Sequence, residues 1–161
     1  MDQKRLRELE DQCIQEHVPA CQAGCPVHVD ARGIASEIAH ADFTSALKIL
    51  RKSIPFPAII SRICDQPCRQ VCRRAEVGDA IAIAALERAC VDWGGPAGAV
   101  TVLPRKSKRV AVIGSDLSAL TVAYDLVRKG YAITLFEQSE RLGGSLWDIP
   151  EKTNYQYYKI F

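Results

Sequence analysis

Six of the seven cysteines fall into two groups, Cys13, Cys21 and Cys25 (followed directly by Pro26) and Cys64, Cys68 and Cys72. The second group reads Cys-x3-Cys-x3-Cys, which sets its thiols on neighbouring turns of a loop or an irregular helix. One three-residue gap lets two sulfurs reach one metal centre. A third sulfur so near either completes that centre or reaches back to a neighbouring one, as happens in proteins that interleave the ligands of two iron–sulfur clusters. The same gap also lies within the range of zinc sites, so spacing alone leaves both chemistries open. An odd cysteine count suits metal ligation better than a disulfide framework.

Composition narrows the setting. The 161 residues are 48% hydrophobic and 25% charged, as in a globular protein, and suffice for one ordinary domain or two small ones. A net charge of +2 is too weak to argue for nucleic acid. Residues 1–10 alternate charges around Leu6 and Leu9 with no apolar core, so they are not a secretory signal. No apolar run is long enough to span a bilayer. A cytoplasmic location is expected, where thiols stay reduced.

The elements that must position the thiols can be read in order. Leu6, Leu9 and Cys13 lie at helical spacing, and Pro19 is expected to keep the approach to Cys21 out of regular helix. Asp30 is a plausible N-cap for a helix over 31–40, with Ile34 and Ile38 inward. A second helix is expected over 43–51, with Phe43, Ala46, Leu47 and Leu50 on one face. Pro55-Phe56-Pro57 breaks it and aims Ile59, Ile60 and Ile63 at a core beneath Cys64. After the thiols, an apolar helix is expected from Gly78-Asp79 to about Trp93, and a Gly/Pro-rich, then basic, stretch links it to the remainder of the chain.

From Val110 the pattern changes. Val110–Ile113 has the character of a buried parallel strand, Gly114 opens a turn, and a helix is expected from about Ser118 to Arg128. Gly130 stops that helix, and a second strand over 132–136 ends in Glu137. This is a βαβ unit of dinucleotide-binding type, with the acid about twenty positions past the glycine turn, where a ribose hydroxyl would bond it. The fingerprint is degenerate. It reads Gly114-Ser115-Asp116-Leu117-Ser118-Ala119, so Asp116 stands where backbone must approach pyrophosphate. A carboxylate there repels phosphate but suits a helix cap. The fold is expected to persist and FAD binding to be weakened or lost, leaving Gly114 and Glu137 as remnants of a cofactor site.

Taken together, Cys13, Glu16, Cys21, Cys25-Pro26, Pro55-Phe56-Pro57, Arg62-Ile63-Cys64, Cys68, Cys72 and Glu87 resemble the N-terminal iron–sulfur domain of the glutamate synthase small subunit, shared with dihydropyrimidine dehydrogenase. Residues 110–144, with Glu137 and Arg141-Leu142-Gly143-Gly144, resemble the start of the flavin domain that comes after it in that family. The resemblance implies two [4Fe-4S] clusters. One would take Cys13, Cys21 and Cys72, and the other Cys25, Cys64 and Cys68 with Glu87 as fourth ligand. Glu16 departs from the family, which has a cysteine there. The first cluster is therefore one thiolate short, with Glu16 or His17 to fill the place or an iron left open. Cys90, three residues after Glu87, is a further ligand or a small buried hydrophobe. His28 and His40 have no spacing partners and are assigned structural or surface roles.

The expected fold is thus a mostly α-helical two-cluster iron–sulfur domain over residues 1–103, followed over 104–161 by a partial α/β Rossmann-like βαβ unit with an aromatic tail. Its parallel sheet needs more strands, from that tail or from another chain, unless the sequence is a fragment. The expected function is electron relay between a flavin- or NAD(P)H-using partner, most simply a flavoprotein, and another redox subunit, with no complete active site in this chain. One alternative is the N-terminal portion of a flavin-dependent NAD(P)H oxidoreductase. A second is a zinc-stabilised interaction module. Membership of a complex or an oligomer is expected, with neither nucleic acid nor membrane as partner.

Overall fold

The computed structural model describes residues 2–4, 8, 18–96, 98 and 100–148. The expected N-terminal helix through Cys13, the candidate ligands Cys13, Glu16 and His17, and the aromatic tail with Tyr155, Tyr157 and Phe161 lie outside the described residues. The chain divides into two compact units, Met1–Gly95 and Pro96–Phe161. No helix among the described residues is long and apolar enough to cross a membrane.

The first unit is helical: α1 (Ala20–Ala23), α2 (Ala31–Ala39), α3 (Phe43–Ser53), α4 (Pro57–Ile63), α5 (Pro67–Gln70) and α6 (Ile83–Trp93), with a 3-10 turn over Arg73–Glu76. Two starts are written in aspartates. Asp30 Oδ1 accepts from Gly33 N–H at 2.9 Å, and Asp42 Oδ1 from Ser45 N–H at 2.8 Å. Each such cap contributes about 1 kcal/mol. The inward faces of α2, α3 and α6 supply Ile34, Ala46, Leu47, Leu50 and Cys90, which close with Val29 and Ile54 into one core. Phe43 and Trp93 meet edge to face at 5.2 Å, tying the start of α3 to the end of α6.

The structure corrects two expectations. Cys21 lies within a helical turn, α1, because Pro19 falls at its N-cap. There a missing N–H costs nothing and the ring presets φ. The apolar helix begins at Ile83, not at Gly78-Asp79. Ile81 is 42% exposed, whereas Ile83 and Ala84 are 4% and 3% exposed, so only from Ile83 do apolar side chains meet a core that repays helix formation.

The second unit is a βαβ unit: β1 (Arg109–Ile113), α7 (Leu117–Arg128) and β2 (Ala132–Phe136). The strands are parallel, with Val110 opposite Ile133 and Val112 opposite Leu135. Alternation splits the sheet into two faces. Val112 is buried at 7%, while Ile113 and Phe136 are 86% and 56% exposed. Gly130, at φ 85°, ends the α7 turn, and a Cβ there would sit 2.2 Å from the Pro104 carbonyl oxygen, so no other residue fits.

Candidate metal centre and nucleotide loop

Short elements carry the thiols. Cys64 is the C-cap of α4, Cys68 lies in the single turn of α5, and Cys72 precedes the 3-10 turn. Pro67 at the first helical position restarts the chain, so the Cys-x3-Cys-x3-Cys run is a broken helix, as its spacing suggests. Facing it, Cys21 lies on α1 and Cys25 in the turn just after. Gln22 and His28 clip that turn shut, with His28 Nδ1 3.2 Å from the Gln22 carbonyl oxygen and Gln22 Nε2 donating to the His28 carbonyl at 3.3 Å. A Cβ on Gly24 would lie 2.6 Å from Val71, so glycine lets the two thiol-bearing segments come together. The other candidate histidine, His40, has Nδ1 2.8 Å from the Ser36 carbonyl oxygen, a structural role.

α6 brings Glu87 in from a third side. Its position is set by two ties to α4: Arg62 to Asp92 at 2.8 Å, and Arg88 donating to the Ser61 carbonyl at 3.2 Å. Nothing in the one-dimensional pattern signalled this clamp, because its partners are some thirty positions apart. Glu87 is only 6% exposed and has no hydrogen bond or ion pair among the described residues. Burial raises its pKa, and the charge of Arg88 opposes that only in part.

The charges of Glu87 and Cys25 act on both Cys64 and Cys68. Burial first, then Glu87, Cys64, Cys25 and Cys21, push the Cys68 thiol up to about 11. Burial also raises Cys64, against which the backbone N–H of Gln66 at 3.4 Å pulls down. Cys21 packs beside Cys68, Ala31 and Ile83. Cys72 is buried at 7%. Cys90 is fully buried in the helical core, its thiol pushed up to about 11 by burial and then by Glu87. Cys25, Cys64, Cys68, Cys72 and Cys90 form no disulfides. Among the described residues, no three His, Cys, Asp or Glu side chains group as a single-ion site. Desolvated thiols and a buried carboxyl held together have the chemistry of a ligand set. Each becomes anionic readily only against positive charge, and thiolates are the soft donors that iron–sulfur groups take. The residues present fit such a group.

The nucleotide loop is built differently. Gly114 turns at φ 90°, and buried Ser115 donates to Glu137 Oε2, a bond that the sequence did not signal. Glu137 Oε1 accepts from the Ser139 N–H and hydroxyl at 2.9 and 2.8 Å. The Ser115 hydroxyl, then Ser139, hold the Glu137 carboxyl down to about 2. Asp116 Oδ1 accepts from Ala119 N–H at 2.8 Å, the capping role expected of it. Gly143 N–H donates to the Ser115 carbonyl at 2.9 Å, and a Cβ on Gly144 would lie 3.2 Å from Asp116 Cβ. The chain's own carboxylate thus sits at the N-terminus of α7 and takes one of its N–H groups, with the Gly143-Gly144 turn against it. These residues do not fit a pyrophosphate.

Residues 1–98 match the family described as dihydropyrimidine dehydrogenase domain II, 4Fe-4S cluster. The chain belongs to this family. Residues 112–157 match the NAD(P)-binding Rossmann-like domain, so the dihydropyrimidine dehydrogenase domain II is followed here by the opening of a Rossmann-like fold. Among curated relatives, the NADPH-Fe(3+) oxidoreductase subunit beta of Geobacter sulfurreducens is 32% identical over 137 residues, covering 83% of this chain and 20% of that one. The glutamate synthase [NADPH] small chain of Mycobacterium tuberculosis is 29% identical over 154 residues, covering 93% and 32% respectively. The NADP(+)-dependent formate dehydrogenase subunit beta of Moorella thermoacetica is 30% identical over 150 residues, covering 78% and 21%. The chain spans a fifth to a third of the length of these relatives.

Proposed function

We propose that the chain is an electron-relay module that holds two [4Fe-4S] clusters and passes electrons between a flavin- or NAD(P)H-using subunit and another redox subunit in the cytoplasm. The observation that carries this reading is the convergence of Cys64, Cys68 and the buried Glu87, from α4, α5 and α6, with Cys25 in the turn after α1. These four would hold one cluster. Cys21 and Cys72, with Cys13 and the Glu16 or His17 position, would hold the other. A bound cluster supplies one-electron transfer. The protein contributes anionic donors, exclusion of water from Cys68, Cys72 and Glu87, and a fixed separation between α4 and α6. That three relatives are named as subunits or chains of NADPH- or NADP(+)-linked oxidoreductases supports a redox partner.

The test is anaerobic purification of the full chain, followed by iron, sulfide and zinc analysis. The expected result is a brown protein with about eight irons and matching acid-labile sulfide. Stoichiometric zinc without sulfide would sink the proposal in favour of the zinc-stabilised module. A second reading, the N-terminal part of a flavin-dependent NAD(P)H oxidoreductase, is favoured by the greater length of the relatives. In that reading the relay is the same, and the flavin site draws largely on further segments of a longer protein.

A further inference from the structure

Between Cys64 and Cys68 the backbone takes an uncommon path. Gln66 has φ 59° and ψ 54°, the left-handed region that costs energy for any side chain except glycine. The next residue is Pro67, whose ring biases its predecessor toward extended backbone. Two local preferences are therefore overridden at one position, and strain of this kind tends to gather at functional sites. Two hydrogen bonds meet at this residue. The Gln66 N–H donates to Cys64 Sγ at 3.4 Å, a good length for a bond to sulfur. The Gln66 carbonyl accepts from Arg69 N–H at 2.9 Å and so opens the turn that carries Cys68. An extended residue 66 would lose the turn closed by Arg69 and displace the next thiol.

We propose that the Gln66 backbone N–H sets the reduction potential of the iron–sulfur group ligated by Cys64, while the left-handed turn after that N–H places Cys68. The proposal rests on the iron–sulfur reading above. The physical argument is electrostatic. A donor on a ligand sulfur withdraws electron density and stabilises the more negative, reduced state, and hydrogen bonds to sulfur are among the levers that set such potentials. The Gln66 side chain has no part in it. The signal is hidden from sequence reading because every residue except proline carries the same N–H.

The test uses the full chain, purified anaerobically, in two forms beside the parent. The first has the α-hydroxy analogue of glutamine at position 66, introduced by in vitro translation, which replaces the N–H by an ester oxygen and leaves the side chain. The second is Gln66→Gly, which keeps the N–H and relieves the left-handed cost. Midpoint potentials come from redox titrations followed by electron paramagnetic resonance, and iron–thiolate stretching frequencies from resonance Raman. The ester form should load the parent's iron and show one potential shifted to lower values, with altered iron–thiolate stretching. Gln66→Gly should keep the parent potential. An iron-loaded ester form at the parent potential overturns the Gln66 assignment alone. Should the ester form fail to load, the parent is compared in H2O and D2O: exchange of the Gln66 N–H should shift the iron–thiolate stretching bands, and unshifted bands overturn the proposal. A parent chain without acid-labile sulfide overturns the iron–sulfur reading itself, and this proposal with it.

Discussion

A carboxyl among thiols would be an unusual donor, the part proposed for Glu87. It is buried, raised in pKa by that burial, and without a hydrogen bond among the described residues. Carboxylates are harder than thiolates and release iron more readily. Glu87→Ala should therefore lower iron content from about eight toward about four per chain, read by iron and sulfide analysis. Unchanged iron would place Glu87 outside the ligand set. At the other end of the chain, Glu137 is held down to about 2, with the Ser115 hydroxyl the largest cause. A carboxyl with a depressed folded pKa contributes stability above its ordinary pKa, and loses it as pH falls through the folded value. The window here runs from 4.5 down to about 2. Ser115→Ala should move the Glu137 carboxyl back toward its ordinary value, measured by NMR titration of the side-chain carbonyl carbon. A carboxyl still near 2 would assign the effect to Ser139.

At the scale of elements, α6 carries a buried carboxyl and a buried thiol. Its residues Glu87 and Cys90 are one turn apart and both buried, yet Cys90 is fully enclosed among Ile34, Leu47 and Leu50. A small apolar site suits a thiol as a hydrophobe. Cys90→Ala should cost about 1 kcal/mol in a urea melt, as loss of a buried group of that size does, while iron content stays at the parent level. Loss of iron with little loss of stability would make Cys90 a ligand. The same helix meets α4 through Arg62–Asp92 and through Arg88 to the Ser61 carbonyl. The Cys64 cap of α4 and Glu87 of α6 therefore share one rigid pair of helices.

For the molecule as a whole, the two units differ in how far they satisfy their families' chemistry. The first gathers thiols and a carboxyl suited to iron–sulfur ligation. The second keeps the βαβ frame but fills its anion seat with Asp116 and presses Gly144 against it. The purified chain should carry no flavin, and Asp116→Gly should not confer binding. That change removes only the obstructing carboxylate, at a cost of a few tenths of a kcal/mol in capping. Absorbance of the supernatant after acid release measures flavin directly, and stoichiometric FAD in the parent would contradict the geometry. The exposed sheet face with Ile113 and Phe136 marks the second unit as one that needs further cover.

How much of the protein is legible in its sequence depends on the range of the forces involved. The caps at Asp30, Asp42 and Asp116 depend on a side chain and an N–H three residues away, so residue type nearly determines them. The strands over 109–113 and 132–136, and the broken helix through Cys64, Cys68 and Cys72, are likewise local in origin. The start of α6 at Ile83 was not legible, because apolar residues from Ala80 onward read alike until a core selects among them. Nor was the isolation of Glu87, since a carboxyl in a helix reads as solvated until other helices close over it. The bond from Ser115 to Glu137 and the N–H of Gln66 on Cys64 needed the tertiary structure for opposite reasons. The first joins side chains 22 positions apart, and the second is made by a backbone group that no residue letter distinguishes.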